Sequence, residues 1–176
     1  RFLQALSTRP ALGELPDFGD WARWCQGLRA RYPVLEPHQT LVPGLNPYAI
    51  VHHVFAHLRD DDIIVCGNAS ACILPFQVGQ LRARQRMFSN SGSASMGYDL
   101  PAAIGAAMGG VGRRVICFAG DGSLQMNVQE LQTLKTLQAP VLVIVLANNG
   151  YLSIRQTHEN FFGSVVGATP ASGVEF

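Results

Sequence analysis

The chain has 176 residues, of which 48% are hydrophobic and 14% charged, and its formal net charge is +1. That balance gives no electrostatic footing for nucleic acid or an anionic membrane surface, and no apolar run approaches the ~20 residues of a membrane span. The apolar excess suits a large buried sheet in one domain of ordinary size, with surface hidden against other domains or subunits.

Prolines at 10, 16, 33, 37 and 43 punctuate the first 43 residues, which read as a linker and the tail of a preceding domain. Within them Trp21, Trp24, Leu28 and Tyr32 keep helical spacing, predicting one short amphipathic helix. A compact domain is expected over 44–176. Asn46 can cap its first helix, PYAIVHHVFAHL, and Pro47 suits the first helical position. DDIIVCG then reads as a strand, LPAAIGAAMGG as a helix of small residues, and RRVICFAGDG as a second strand. LQMNVQELQTLKTLQ reads as one helix striped by Leu124, Val128, Leu131 and Leu134, and APVLVIVLANNG as a third strand. Continuous Val/Ile/Leu runs alternating with helices predict an α/β protein, a three-layer α/β/α sandwich with a mainly parallel sheet. The chain opens on Arg1 without a leader pattern and closes on GVEF without a cap, so it is expected to be a piece of a longer polypeptide.

Cys25, Cys66, Cys72 and Cys117 form no CxxC pair and are expected to be free thiols, Cys66 and Cys117 buried, as fits a reducing cytoplasm. His53 and His57 have the spacing of a zinc pair, but no third ligand is suggested, and a partly exposed helix face is the expectation.

In parallel sheets ligands collect at the carboxyl ends of the strands, and three ends here carry glycine and small polar residues: CGNAS, AGDGS and ANNG. Asp121 follows a buried strand between Gly120 and Gly122, which leave room for a bulky anion, and Ser123 opens a helix whose free amides suit phosphate. A carboxylate beside phosphate calls for a cation between them, Mg²⁺ or Ca²⁺, held by about six oxygens. Asn148, Asn149 and the Gly150 carbonyl are the nearby candidates, 27 positions on from Asp121 to Asn148. A dinucleotide-binding reading would need G-x-G-x-x-G between strand and helix, and GGVGRR instead precedes a strand.

GDG, 25 residues, then NN, with NSGSASMGYDLPAAIGAAM upstream, resembles the thiamine diphosphate enzymes of the acetolactate synthase-like group over about residues 46–165. The resemblance implies their cofactor-binding fold, incomplete here at both ends, with thiamine diphosphate and Mg²⁺ as cofactors. It makes Asp121, Asn148 and the Gly150 carbonyl the metal ligands, Asn149 being the alternative in a frame shifted by one. Gly67, Asn68 and Ala69 match the segment that contacts the diphosphate, joined by Gly120, Gly122, Ser123 and Tyr151. Met96 would force the two cofactor rings into a bent arrangement, with Ser95 beside it and the Ala94 carbonyl taking the 4′-amino hydrogen bond. Such proximity of base and acidic carbon is of the kind credited with ~7–11 kcal/mol.

The implied reaction is decarboxylation of a 2-oxo acid and transfer of the acyl carbanion to a carbonyl acceptor, with simple decarboxylation or a non-catalytic homologue as alternatives. Asn68-Ala69, where acetolactate synthases tend to carry Gln-His, and the segment NGYLSIRQTHENFFG point away from acetolactate itself. His158 in that segment is a candidate for reaching substrate. The family's activating glutamate comes from a separate amino-terminal pyrimidine-binding domain, of the same or a partner subunit. None of the five glutamates here has a matching context, so no catalytic residue proper is expected on this chain, which should be inactive alone. Its partners would be that domain and a second copy, in a homodimer or homotetramer.

Overall fold

The computed structural model describes residues 1, 3–4, 17–36, 44–110 and 112–168. The prolines at 10, 16, 37 and 43 and the closing GVEF lie outside them. The chain divides into two compact units, Arg1–Val34 and Leu35–Phe176. In the first, the expected helix is α1, Gly19–Arg31, whose Trp21 and Trp24 rings stack with centroids 4.9 Å apart. Its stripe of aromatic residues stays exposed; no residue of α1 is buried.

The second unit begins with α2, Pro47–Ala56, capped as the sequence implies: the Asn46 side-chain oxygen accepts the Tyr48 amide at 2.9 Å. In chain order follow β1 (Ile63–Cys66), α3 (Ser70–Val78), β2 (Arg86–Phe88), α4 (Asp99–Gly109), β3 (Val115–Gly120), α5 (Asp121–Gln125), α6 (Glu130–Leu137), β4 (Val141–Leu146) and α7 (Leu152–Phe162). The strands form one parallel sheet in the order β2-β1-β3-β4. Two hydrophobic clusters fill its faces. Ile64, Cys66, Ile116 and Phe118 pack with Val51 and Phe55 of α2 and Ala71 and Leu74 of α3. Ile63, Val65, Val115 and Cys117 pack with Ala103 and Ala107 of α4 on the other face. Alternate residues of β1 and β3 therefore serve opposite layers, the three-layer arrangement expected, and each fully buried Val, Ile or Phe contributes about 1.5–3 kcal/mol.

Several elements differ from the sequence reading. The single helix expected over 124–138 is two, α5 and α6, joined by turns at 126–129. Asp121 is itself the first residue of α5, so the short helix starts on the acid rather than at Ser123. The expected stripe is only partly covered: Val128 and Leu131 are exposed. α3, β2 and α7 are elements beyond those the sequence predicts. Pro75 stands inside α3, and β2 is three residues long with Arg86 in it, so neither offers a clear period.

The strand order sets the site. The connection from β1 runs to one side, to β2, and the next returns past β1 to β3 on the other. At such a reversal the two outgoing loops part and leave a crevice beyond the carboxyl ends of β1 and β3. Asn68 and Ala69 follow β1 there, and Asp121 follows β3.

Candidate functional site

Asp121 laces two loops together. Its Oδ1 accepts the Gly122 amide at 2.8 Å, and its Oδ2 accepts the amides of Asn148 at 2.8 Å and Gly150 at 2.9 Å. The two strand ends paired in the sequence are thus adjacent, as parallel pairing of Gly120 with Leu146 requires. Asn148 and Asp121 line one cleft with Asn68, Ala69, Met96 and Tyr151; Asn149 is exposed and does not line it. The Asn148 Oδ1 is buried without a hydrogen-bond partner, a state that costs about 1–3 kcal/mol. Asn90 Oδ1 shares that state but lies away from the cleft lining. An added Cβ at Gly120 would meet nothing within 4 Å, so the wall beside the acid is open. A carboxylate, an orphaned amide oxygen and open space fit a hard cation with oxygen ligands.

The Gly150 carbonyl points to a different partner from the one the sequence suggests. Arg155 Nη1 donates to it at 2.5 Å and also to the Asn149 carbonyl, while Nη2 donates to the Asn148 carbonyl at 2.9 Å. The Ala94 carbonyl likewise has a protein donor, Asn68 Nδ2 at 3.3 Å. Ala94 and Ser95 are exposed and, like Gly67 and Gly150, do not line the cleft; Gly120, Gly122 and Ser123 do. Ala69, Ala94, Asn149 and Tyr151 all have positive φ, between 46° and 64°. Non-glycine residues held in this region cost about 1–3 kcal/mol each and cluster at functional sites.

Beneath the cleft runs a buried polar relay. The Gly97 amide donates to Ser123 Oγ at 2.8 Å, and Ser123 Oγ donates to Asp99 Oδ2 at 2.7 Å. The Leu100 amide donates to Asp99 Oδ1, and Asn127 Nδ2 donates to the Gly97 carbonyl at 2.7 Å. The loop carrying Met96 is thereby pinned to the turn carrying Asp121. Burial pushes the Asp99 carboxyl up from its usual range, with the Ser123 hydroxyl and backbone amides only partly offsetting it. Gly67 is required here for space: a Cβ on it would stand 2.7 Å from Asp99 Oδ2.

The family model for the thiamine pyrophosphate enzyme, C-terminal TPP binding domain, matches residues 69–175, more than half of the chain. The chain belongs to the thiamine pyrophosphate enzymes. Its TPP-binding domain is similar to that of acetolactate synthases. It is 30% identical over 154 residues to the acetolactate synthase isozyme 1 large subunit of Escherichia coli (strain K12), covering 88% of this chain and 27% of that protein. It is 41% identical over 154 residues to the acetolactate synthase large subunit of Porphyra purpurea, covering 81% and 24%. The chain thus spans about a quarter of the length of the curated relatives it matches.

Within this TPP-binding domain, Asp99 and Arg155 escaped the sequence reading. An acid inside the small-residue run DLPAAIGAAM was the available signal for Asp99; nothing local marked Arg155. His158 does not line the cleft: its Nδ1 accepts the Val166 amide at 3.4 Å and its ring meets Phe162 edge-on. His53 and His57 are exposed, with the His57 Nδ1 donating to the His53 carbonyl at 2.8 Å. Among the described residues no group of three or more His, Cys, Asp or Glu could hold an ion. All four cysteines are free, and burial pushes the Cys117 thiol up to about 12 and Cys66 higher still, so neither is a nucleophile. No helix among the described residues is long and apolar enough to cross a membrane.

Proposed function

We propose that this domain binds thiamine diphosphate through Mg²⁺ in an enzyme that decarboxylates a 2-oxo acid and passes the acyl carbanion to a carbonyl acceptor. The observation that carries the reading is the Asp121 carboxylate bonded to the amides of Asn148 and Gly150, with an orphaned Asn148 oxygen in the same loop. Asp121 and Asn148 would hold the ion, with the Gly150 carbonyl as third protein ligand. The bound thiazolium supplies the electron sink for decarboxylation. The chain's own part would be to bind and orient it: Gly120 leaves open space for the diphosphate, Gly122 and Ser123 line the same cleft, and Met96, Leu146 and Leu152 offer an apolar wall that excludes water.

The activating glutamate would come from an amino-terminal pyrimidine-binding domain of the same or a partner subunit, in a homodimer or homotetramer. Four free cysteines fit a reducing compartment, the cytoplasm. Asn68-Ala69 beside the cleft favours, as a second reading, a decarboxylase or carboligase acting on a 2-oxo acid other than pyruvate; product analysis with pyruvate and branched 2-oxo acids separates these. The binding test is calorimetric titration of thiamine diphosphate into the complete polypeptide with and without Mg²⁺. Affinity should depend on Mg²⁺ and fall at least about 100-fold in Asp121→Ala, the loss of a charged ligand; equal binding by that variant would overturn the reading.

A further inference from the structure

The loop beyond β4 is gripped from both sides. Asp121 takes its amides, and Arg155, one turn into α7, reaches back to the carbonyls of Asn148, Asn149 and Gly150. Asn149, Gly150 and Tyr151 lie in succession at φ 64°, 72° and 47°. That run of left-handed residues lets three successive carbonyl oxygens meet one side chain. Converging carbonyl oxygens are donors of the kind a hard cation takes. Here a cation already stands against them: the guanidinium, which keeps its charge at any ordinary pH.

We propose that Arg155 is a positioning residue that makes cation binding conditional on the diphosphate. This rests on the Mg²⁺ reading above. A divalent ion on the Gly150 oxygen shares that oxygen with a guanidinium, and like charges at such range in a part-buried site repel. The ion alone is therefore disfavoured. A diphosphate brings the negative charge that offsets both cations, so ion and cofactor enter together. Linkage makes the effect reciprocal: a change that raises the ion's affinity without cofactor more than its affinity with cofactor lowers the factor by which each ligand helps the other.

Mn²⁺ is the probe, its free form counted by electron paramagnetic resonance during titration of the complete polypeptide, with and without thiamine diphosphate. In Arg155→Gln and Arg155→Met, Mn²⁺ alone should bind about tenfold more tightly, within the roughly 5–150-fold span usual for coupled sites, and the enhancement by cofactor should shrink to match. Arg155→Lys, which keeps the charge and loses the fork, should behave as the unaltered protein. Unchanged or weaker Mn²⁺ binding in the neutral variants overturns the proposal, because a merely loop-holding arginine predicts that loss. So does tighter binding in Arg155→Lys. An unaltered protein that takes up no Mn²⁺ even with cofactor, or an Asp121→Ala variant that takes it up equally well, would refute the cation reading itself.

Discussion

At Gly122 the fit of one side chain sets the width of the cleft. An added Cβ would stand 2.7 Å from Cε1 of Tyr151 and 3.0 Å from its Cδ1. The ring cannot retreat cheaply, because Tyr151 follows Asn149 and Gly150 in the left-handed run and opens α7. Gly122→Ala should therefore push the ring into the cleft or the loop off Asp121, at the ~1–3 kcal/mol typical of overpacking. Thiamine diphosphate affinity, by calorimetry, should fall about tenfold or more. Tyr151→Leu in the same chain should restore part of it, and a double-mutant cycle would read the coupling; additive losses would show that the contact is not the cause. The flanking glycines were legible in the sequence, but as room for an anion. At Gly120 the space is open, whereas Gly122 answers to a tyrosine 29 positions on. Asp121 and Asn148 could be found because their spacing fixes two neighbouring strand ends. Arg155 and Asp99 could not, since what each holds depends on how a helix returns to the sheet.

Among the elements, the buried strands were read correctly because Ile63–Cys66 and Val115–Gly120 are apolar throughout, as a sheet covered on both faces demands. The helix after GDG was read as continuous because its apolar spacing crosses the turns at 126–129; Asn127 breaks the run by giving its side-chain amide to the Gly97 carbonyl. At the opposite end of the sheet, the entries to β1 and β3 are tied by an ion pair. Arg114 donates through Nε at 2.9 Å and Nη2 at 2.5 Å to Asp62, whose side chain is fully buried. Burial pushes the Asp62 carboxyl up, but the Arg114 fork, the Arg59 amide and the arginine's charge outweigh it and hold it below its usual value of 3.8. A carboxyl held lower in the fold than in the unfolded chain lends stability above the usual value. That contribution is lost as pH falls from 3.8 through the folded value. Arg114→Met leaves a buried carboxylate without its counter-ion and should cost about 3–5 kcal/mol at pH 7 in urea unfolding of this chain. The gap should narrow as Asp62 takes up a proton in acid. A pH-independent loss below about 1 kcal/mol would mean the pair behaves as an exposed one.

For the whole molecule, the proposed function has the domain supply one wall of a cofactor site. Its cleft holds a carboxylate, amide oxygens and an apolar support, but among the described residues no carboxylic acid other than Asp121 lines it, and Asp121 is committed to the loop beyond β4. Activation of the pyrimidine needs a proton-transferring acid with its own hydrogen-bond geometry, a contribution of typically ~10²–10⁴-fold. Relatives more than three times as long have room for it elsewhere. The 176-residue chain is therefore expected to show no CO₂ release from pyruvate or branched 2-oxo acids, assayed at saturating thiamine diphosphate and Mg²⁺. On the proposed reading the same preparation should still bind the cofactor detectably through its diphosphate end, though more weakly than the complete polypeptide, in which a further domain would also hold the pyrimidine. Adding a pyrimidine-binding domain in trans should then raise affinity and turnover together, since on the proposed reading its glutamate would both grip and activate the ring. Turnover by the isolated chain would place the activating group within these residues, and binding without any gain from the added domain would remove the need for a partner.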